Sequence, residues 1–322
     1  MKHIFGPVNS RRLGRSLGVD LFSEKVCNLN CIYCEVGPTV HLSCQRAEYV
    51  PTREIIAEID AFCRDRQRLQ TVDVVTVTAS GEPTLHAGFG TILAHLGEVA
   101  GRPIAVLTNG TTLGDAVVRQ ELQLADIVIP SLDSALAESF RKVDRPAACL
   151  DLAEIIEGLV RFSHEYRGQL WLEILFVRGL NEGEEDVAAL AGVIGRMRLD
   201  RVQLNTVARP PLESFARPVD QRRLQEIAAR FRAIRPGLVV DLLADAPRQS
   251  KEQQQQAGDG QENRPDRLVE IVHMVQRRPC TAADINRTFQ IGGPEKVEQL
   301  LEPLVRAGRI SKRRHGDRIY YH

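Results

Sequence analysis

The sequence has no long apolar run. Nowhere in its 322 residues does a stretch approach the ~18 apolar positions that cross a bilayer, so no α-helical membrane span is expected. The opening Met1-Lys2-His3-Ile4-Phe5-Gly6-Pro7 lacks the apolar core of an export signal. An exported, disulfide-stapled protein is therefore not expected, and the expected compartment is the cytoplasm. The chain also has no net charge, with 42 Lys and Arg against 42 Asp and Glu. Any attraction to a charged partner must then come from a local imbalance. What is present is ordinary globular material: 43% hydrophobic and 26% charged residues, in a chain long enough for one large domain and a small one.

Its most unusual stretch is Cys27-Asn28-Leu29-Asn30-Cys31-Ile32-Tyr33-Cys34, three thiols spaced C-x3-C-x2-C. Thiolates this close converge on a soft metal centre if the loop curls around it. A structural zinc site normally wants a fourth protein ligand, and no second C-x2-C follows to supply it. Iron–sulfur clusters usually take four thiolates as well, so three would leave one iron open to a substrate or cofactor. A zinc knuckle stays as the alternative. The other cysteines, Cys44, Cys63, Cys149 and Cys280, are scattered and read as buried or spare thiols. Cys44 is the least settled, being ten residues past the loop. Before the loop, Leu17–Phe22 reads as a strand. After it, the β-branched run Val72–Thr78 reads as a strand buried on both faces, followed by Ser80-Gly81-Glu82-Pro83-Thr84.

Together these residues resemble the radical S-adenosylmethionine (SAM) superfamily, with Tyr33 as the aromatic before the last cysteine and Ser-Gly-Glu in place of that family's Gly-Gly-Glu. The resemblance implies a [4Fe–4S] cluster on Cys27, Cys31 and Cys34, with SAM on its open iron. It implies reductive cleavage of the sulfonium, yielding methionine and a 5′-deoxyadenosyl radical that takes a hydrogen atom from the substrate. It also implies a low-potential electron donor such as ferredoxin or flavodoxin. Gly81 would let backbone approach the ligand. Glu82 and the carbonyls beside it would accept from an ammonium group, Pro83 and Thr84 would complete the turn, and Tyr33 would line the adenine side. Each also reads as a plain turn or packing residue. Residues 5–16 carry arginines, of which Arg11, Arg12 or Arg15 would fold over the cluster mouth to meet a carboxylate or phosphate. This segment resembles the subgroup that includes the wyosine-forming tRNA enzymes.

Further along, apolar stripes and β-branched runs alternate. Helices near 86–99, 112–122, 150–166, 184–195 and 219–233 separate strands at Ile104–Leu107, Ile127–Ile129, Leu170–Val177, Val202–Leu204 and Leu238–Leu243. Thr52 is expected to cap a helix with Ile55, Ile56, Ile59 and Phe62 on one stripe. Strands alternating with helices mean an α/β fold of parallel units. The family resemblance selects a partial (β/α)6-type parallel barrel. Ligands of such folds sit at the C-terminal strand ends. That points to Asn109, Ser131 and Asp133 for ribose hydroxyls or the methionyl carboxylate, and to Asn205 for adenine. Glu173 falls in mid-strand and is given no role.

Residues 1–245 thus form the expected core, and 246–265, with Gln253-Gln-Gln-Gln256, reads as a disordered linker. Residues 266–322 read as a small winged-helix-like domain, with Thr281 and Pro294 opening helices and a hairpin turning at His315-Gly316-Asp317. From Arg264 onward there are twelve Lys and Arg against seven Asp and Glu, about +5. Lys312, Arg313, Arg314 and Arg318, with Tyr320 and Tyr321, suggest a wing that tracks RNA phosphates. The core is expected to fold without this tail. The readings are an enzyme acting on RNA, in particular tRNA; the same enzyme on a peptide or small molecule; and a cluster-bearing DNA-binding redox regulator. Ser80–Thr84 speaks against the last, since a sensor needs no SAM pocket.

Overall fold

The computed structural model describes residues 1–10, 12–78, 80–243 and 265–322, with side chains in the last stretch from Leu268 onward. Residues 246–264 of the expected linker and Arg11 lie outside the described residues, while Pro265 opens a helix. The larger unit runs β1 (Ile4–Ser10), β2 (Gly14–Val19), β3 (Val26–Cys27), β4 (His41–Leu42), α1 (Thr52–Arg64), α2 (Arg66–Gln70), β5 (Val74–Val77), α3 (Phe89–Val99), β6 (Ile104–Thr108), α4 (Ala116–Leu122), β7 (Ile127–Pro130), α5 (Ala137–Val143), α6 (Leu152–Glu165), β8 (Gln169–Phe176), α7 (Glu184–Arg196), β9 (Arg201–Thr206), α8 (Gln221–Arg232) and β10 (Val239–Leu242). The main sheet has the order β1-β2-β5-β6-β7-β8-β9-β10. Every neighbouring pair from β2 to β10 is parallel, and β1 is antiparallel to β2. The parallel run is thus seven strands long, the last of them, β10, falling where a strand was expected at Leu238–Leu243.

The reason for this layering is legible in the side chains. All four residues of β5 are buried, as a strand covered on both faces requires. Helices pack one stripe against the sheet: Ile55, Ile59 and Phe62 of α1, and Ile155, Leu159 and Phe162 of α6. Asp151 caps α6 by accepting from the Glu154 N–H, while Pro51 takes the cap position of α1 expected for Thr52. Thr52 instead opens that helix, and its hydroxyl donates to Glu48.

The described residues of the arginine-bearing segment 5–16 belong to the β1–β2 hairpin. From its turn, Arg12 Nη1 donates to Glu173 Oε2 on β8 (2.5 Å) and to Gln203 Oε1 on β9 (3.1 Å). In a flat sheet β2 and β8 would stand roughly 19 Å apart, at about 4.8 Å per strand. An arginine side chain cannot span that, so the sheet is curled into an open barrel.

The smaller unit is α9 (Pro265–Arg277), β11 (Cys280–Thr281), α10 (Ala282–Phe289), α11 (Pro294–Arg306), β12 (Lys312–His315) and β13 (Arg318–Tyr321), with its antiparallel sheet ordered β11-β13-β12. Thr281 and Asp284 form a capping box at α10. The core of this unit, built on Ile271, Val275, Ile285, Leu301 and Tyr321, takes in Val8 of β1. Arg277 lies over the Phe5 ring, donates to the Lys2 carbonyl and approaches buried Asp20. The Tyr320 hydroxyl donates to the Ala208 carbonyl (2.9 Å) and Arg313 to that of Pro211 (3.2 Å). The tail is therefore fastened both to the first hairpin and to the loop that follows β9.

Candidate active site

The thiol loop leaves β2 through Asp20, whose carboxylate accepts from the Phe22 and Ser80 N–H groups and from the Ser80 hydroxyl. Burial raises the pKa of Asp20 against those donors and Arg277. The loop curls because β3 and β4 pair in parallel, bringing His41 back beside Val26. Its backbone is then seated on two neighbours. Glu82 N–H donates to the Val26 carbonyl (2.9 Å), and the Asn30 and Ile32 N–H groups donate to the carbonyls of Asp144 (3.0 Å) and Val143 (2.9 Å).

Gly81 explains the first seat. Its φ is +121°, and a Cβ there would stand 1.7 Å from the Val26 carbonyl oxygen. The close approach that requires glycine here is to the thiol loop itself. Glu82 is 1% exposed. Its Oε1 accepts from Thr84 N–H and from the Thr84 and Thr108 hydroxyls, and Oε2 from Asn109 N–H (2.6 Å). The carboxylate therefore ties the end of β5 to the end of β6, and burial raises its pKa despite these donors. Pro83 and Thr84 are buried in a short 3-10 turn behind it and do not line the cavity.

A cavity of about 180 Å³ opens at the C-terminal strand ends, where the fold predicts a ligand. Cys27, Cys31, Tyr33, Gly81, Glu82, Asn109, Ser131 and Asp133 all line it. Asn205 does not; its amide donates to Glu173 Oε1 (2.9 Å), and Glu173 lines the cavity in its place. Asn109 Nδ2 donates to Asn28 Oδ1 (2.8 Å) and reaches toward Cys27 Sγ (3.6 Å). The Tyr33 hydroxyl donates to Asp133. Burial pushes Asp133 up to about 6, against the Tyr33 donor and the Leu175 N–H. Asp144 is pushed well above the usual carboxylate range, by burial first and then by Asp133. Its Oδ2 is buried and accepts no hydrogen bond. Burial also raises Cys27 to about 12 and Cys31 well above the ordinary thiol value. These thiols need a cationic centre beside them to ionise.

Sequence reasoning missed Lys25, Asp144 and Glu173. Lys25 has only an isolated basic residue's signal, and Asp144 belongs to no strand end. Glu173 was set aside as mid-strand, yet the curl of the sheet turns it inward. Arg12 is paired with the protein's own Glu173 at the cavity wall. Arg15 is met through its own N–H, which donates to Asp73. Two scattered cysteines also prove joined: Cys44 and Cys149 form a disulfide. The loop after β4 and the segment before α6 both flank the thiol loop, with Ser43 N–H donating to the Cys27 carbonyl and Ala147 N–H to that of Asn28. That shared neighbour brings the two thiols together. Cys63 and Cys280 are buried free thiols.

Among the described residues, no group of three or more His, Cys, Asp or Glu side chains is placed to hold a single metal ion. A multi-iron cluster takes one thiolate per iron and so needs its thiols spaced apart. Three cysteines on one curled loop, two of them opening onto a cavity that carries the unsatisfied Asp144 oxygen, fit such a cluster better than zinc.

A curled parallel α/β sheet with a thiol loop after its first parallel strand, and a polar cavity at the strand ends, defines a cofactor-dependent barrel enzyme. Residues 25–191 match the model of the radical SAM superfamily, and the chain belongs to that superfamily. Its cofactors are accordingly a [4Fe–4S] cluster and SAM. A UPF0026 protein of Helicobacter pylori is 34% identical over 302 residues, covering 92% of this chain and 91% of that one. A Brachyspira hyodysenteriae protein named GTPase Obg is 29% identical over 311 residues, 96% of this chain. The chain spans only 43% of that longer protein. Among solved structures, TYW1 with a lysine-pyruvate adduct bound has a TM-score of 0.52 at 16% identity, over 71% of this chain and 76% of that one. That likeness shows the fold alone. No described helix is long and apolar enough to cross a membrane.

Proposed function

We propose that Cys27, Cys31 and Cys34 hold the cluster, and that SAM lies in the cavity bounded by Tyr33, Asn109, Ser131 and Asp133. The observation that carries this is the convergence of the thiol loop, Gly81-Glu82 and the β6 and β7 ends on one cavity. When bound and reduced, the cofactors supply one-electron cleavage of the sulfonium and a 5′-deoxyadenosyl radical. The chain's own residues do the positioning. Glu82 fixes Asn109 through its N–H, and the carbonyls beside Glu82 offer acceptors to an ammonium group. Asp133 and Ser131 present oxygens to hydroxyls. Arg12 and Glu173 close the curled sheet and limit water. A low-potential carrier such as ferredoxin or flavodoxin would supply electrons, in the cytoplasm. Anaerobically reconstituted protein should release 5′-deoxyadenosine and methionine from SAM on reduction. A cluster-loaded protein that releases neither refutes the proposal.

The three helices and three-stranded sheet of the tail are read as a winged helix, and the substrate as RNA. Exposed Arg309, Arg314 and Arg318 on the tail support this. The wing is thinner than expected, however. Lys312 pairs with Glu302 (2.8 Å), Arg313 is used in docking, and Tyr320 and Tyr321 are buried. Helix α11 presents Glu295 and Glu298 to solvent, which opposes a DNA-groove reading. These features favour a peptide or small molecule as the second reading. Salt-dependent RNA binding that falls in the Arg314→Glu, Arg318→Glu double variant decides for RNA; salt-independent or absent binding decides against it.

A further inference from the structure

Lys25 is 7% exposed, an unusual burial for an ammonium group. A buried charge normally has a carboxylate beside it. Lys25 has none among the described residues. Its Nζ donates instead to the Cys34 sulfur at 2.9 Å and to the Gly37 carbonyl at 2.6 Å. Gly37 has a φ of +97°, a left-handed turn in the loop just past Cys34. The loop is thus bent so that one carbonyl and one ligand sulfur share a single cation. Nothing in the reading of SAM or substrate uses this residue.

We propose that Lys25 is a positioning and charge-compensating residue for the iron–sulfur cluster, acting through the Cys34 sulfur. The inference rests on the cluster assignment above. A cluster held by three thiolates gains one more negative charge on one-electron reduction. A cation fixed at hydrogen-bond distance from a ligand sulfur, in a poorly solvated site, stabilises that more negative state more than the oxidised one. Lys25 would therefore ease electron entry from a donor. The Gly37 carbonyl keeps the ammonium from swinging out to solvent.

The test is an anaerobic potentiometric titration of the reconstituted full chain, read by electron paramagnetic resonance, with iron and sulfide counted per chain. Wild type is compared with Lys25→Gln, Lys25→Met and Lys25→Arg. In the neutral variants the reduced-to-oxidised ratio at a fixed potential should fall at least tenfold, a shift of about 59 mV to more negative potential for one electron. Lys25→Arg should recover most of that. Neutral variants that refuse iron, beside an Arg variant that loads fully, would also support a charge requirement. Equal midpoints in loaded wild type and Lys25→Gln overturn the inference, as does failure of all three variants to load, which would make Lys25 a matter of shape. A wild-type protein that takes up no cluster would instead sink the cluster assignment itself.

Discussion

A chain stopped after Leu243 tests whether the tail is a separable passenger. The structure expects that it is not. Removing residues 244–322 uncovers Val8, which is buried in the tail's core, and the Phe5 ring beneath Arg277. Re-exposing most of one valine and part of one phenylalanine costs about 3 kcal/mol. Asp20, 1% exposed, loses the Arg277 guanidinium 3.5 Å away, and weakening that buried pairing costs about 1–2 kcal/mol. The Tyr320–Ala208 and Arg313–Pro211 bonds each contribute about 1 kcal/mol. The sum, roughly 6 kcal/mol, is a large share of the roughly 5–15 kcal/mol typical of a folded domain. At about 2.1 cal/mol/K per residue, the shortened chain unfolds with an entropy near 0.5 kcal/mol/K, so its Tm should fall by roughly 12 °C. Circular dichroism melts of iron-free full-length and shortened chains measure this directly. Arg277→Ala in the full chain should account for about 2–3 °C of it. A shortened chain that melts within about 3 °C of the full one would refute the reasoning and restore the tail to an independent unit.

Three shorter predictions accompany it. Replacing Cys27, Cys31 or Cys34 with Ala should abolish iron uptake on anaerobic reconstitution, while Cys63→Ala should leave the iron count unchanged; full iron in Cys31→Ala would overturn the ligand set. Gly81→Val places a branched side chain against the Val26 carbonyl, so iron retention should fall together with SAM binding; loss of SAM affinity at full iron content would locate the glycine's role at the ligand instead. Asp133, raised to about 6 in the folded state from an unfolded value near 3.9, contributes stability that is complete at low pH and drains away as pH rises through 6. Urea unfolding of iron-free Asp133→Asn should accordingly lose less stability than wild type as pH rises, and an unchanged pH profile would refute this.

Much of this was legible in the chain because the signals are local. The thiol spacing, the β-branched run at Val74–Val77 and the stripes of α1 and α6 each lie within a few residues of their cause. So does the Thr281 capping box. The curled sheet could be anticipated only through family likeness, since periodicity cannot distinguish it from a flat one. The Cys44–Cys149 bond was not legible, because its 105-residue separation closes only when both flanks meet the thiol loop. Nor was the burial of Tyr320 and Tyr321. Alternation places one of two successive strand residues outward, but here one faces the tail's own core and the other meets Ala208 of the barrel.

The residues that escaped have a common physical origin. Glu173, Asp144 and Lys25 are polar groups whose partners are brought near by the curl of the sheet or of the thiol loop. Glu173 reads from sequence as a mid-strand residue without a role, because a strand alone does not say which face is interior. Once β8 lies opposite the β1–β2 turn, the same carboxylate accepts from Arg12 and Asn205 at the cavity wall. Asp144 follows α5, where sequence offers no strand end to mark it, yet its carbonyl seats Asn30 and its carboxyl sits by Cys31 and Asp133. A cavity built this way concentrates carboxyl groups around cysteines whose own charge burial opposes. Among the described residues the ammonium group that donates to a cysteine sulfur is that of Lys25, which makes its contact with Cys34 a point where the site's electrostatics can be altered by a single substitution.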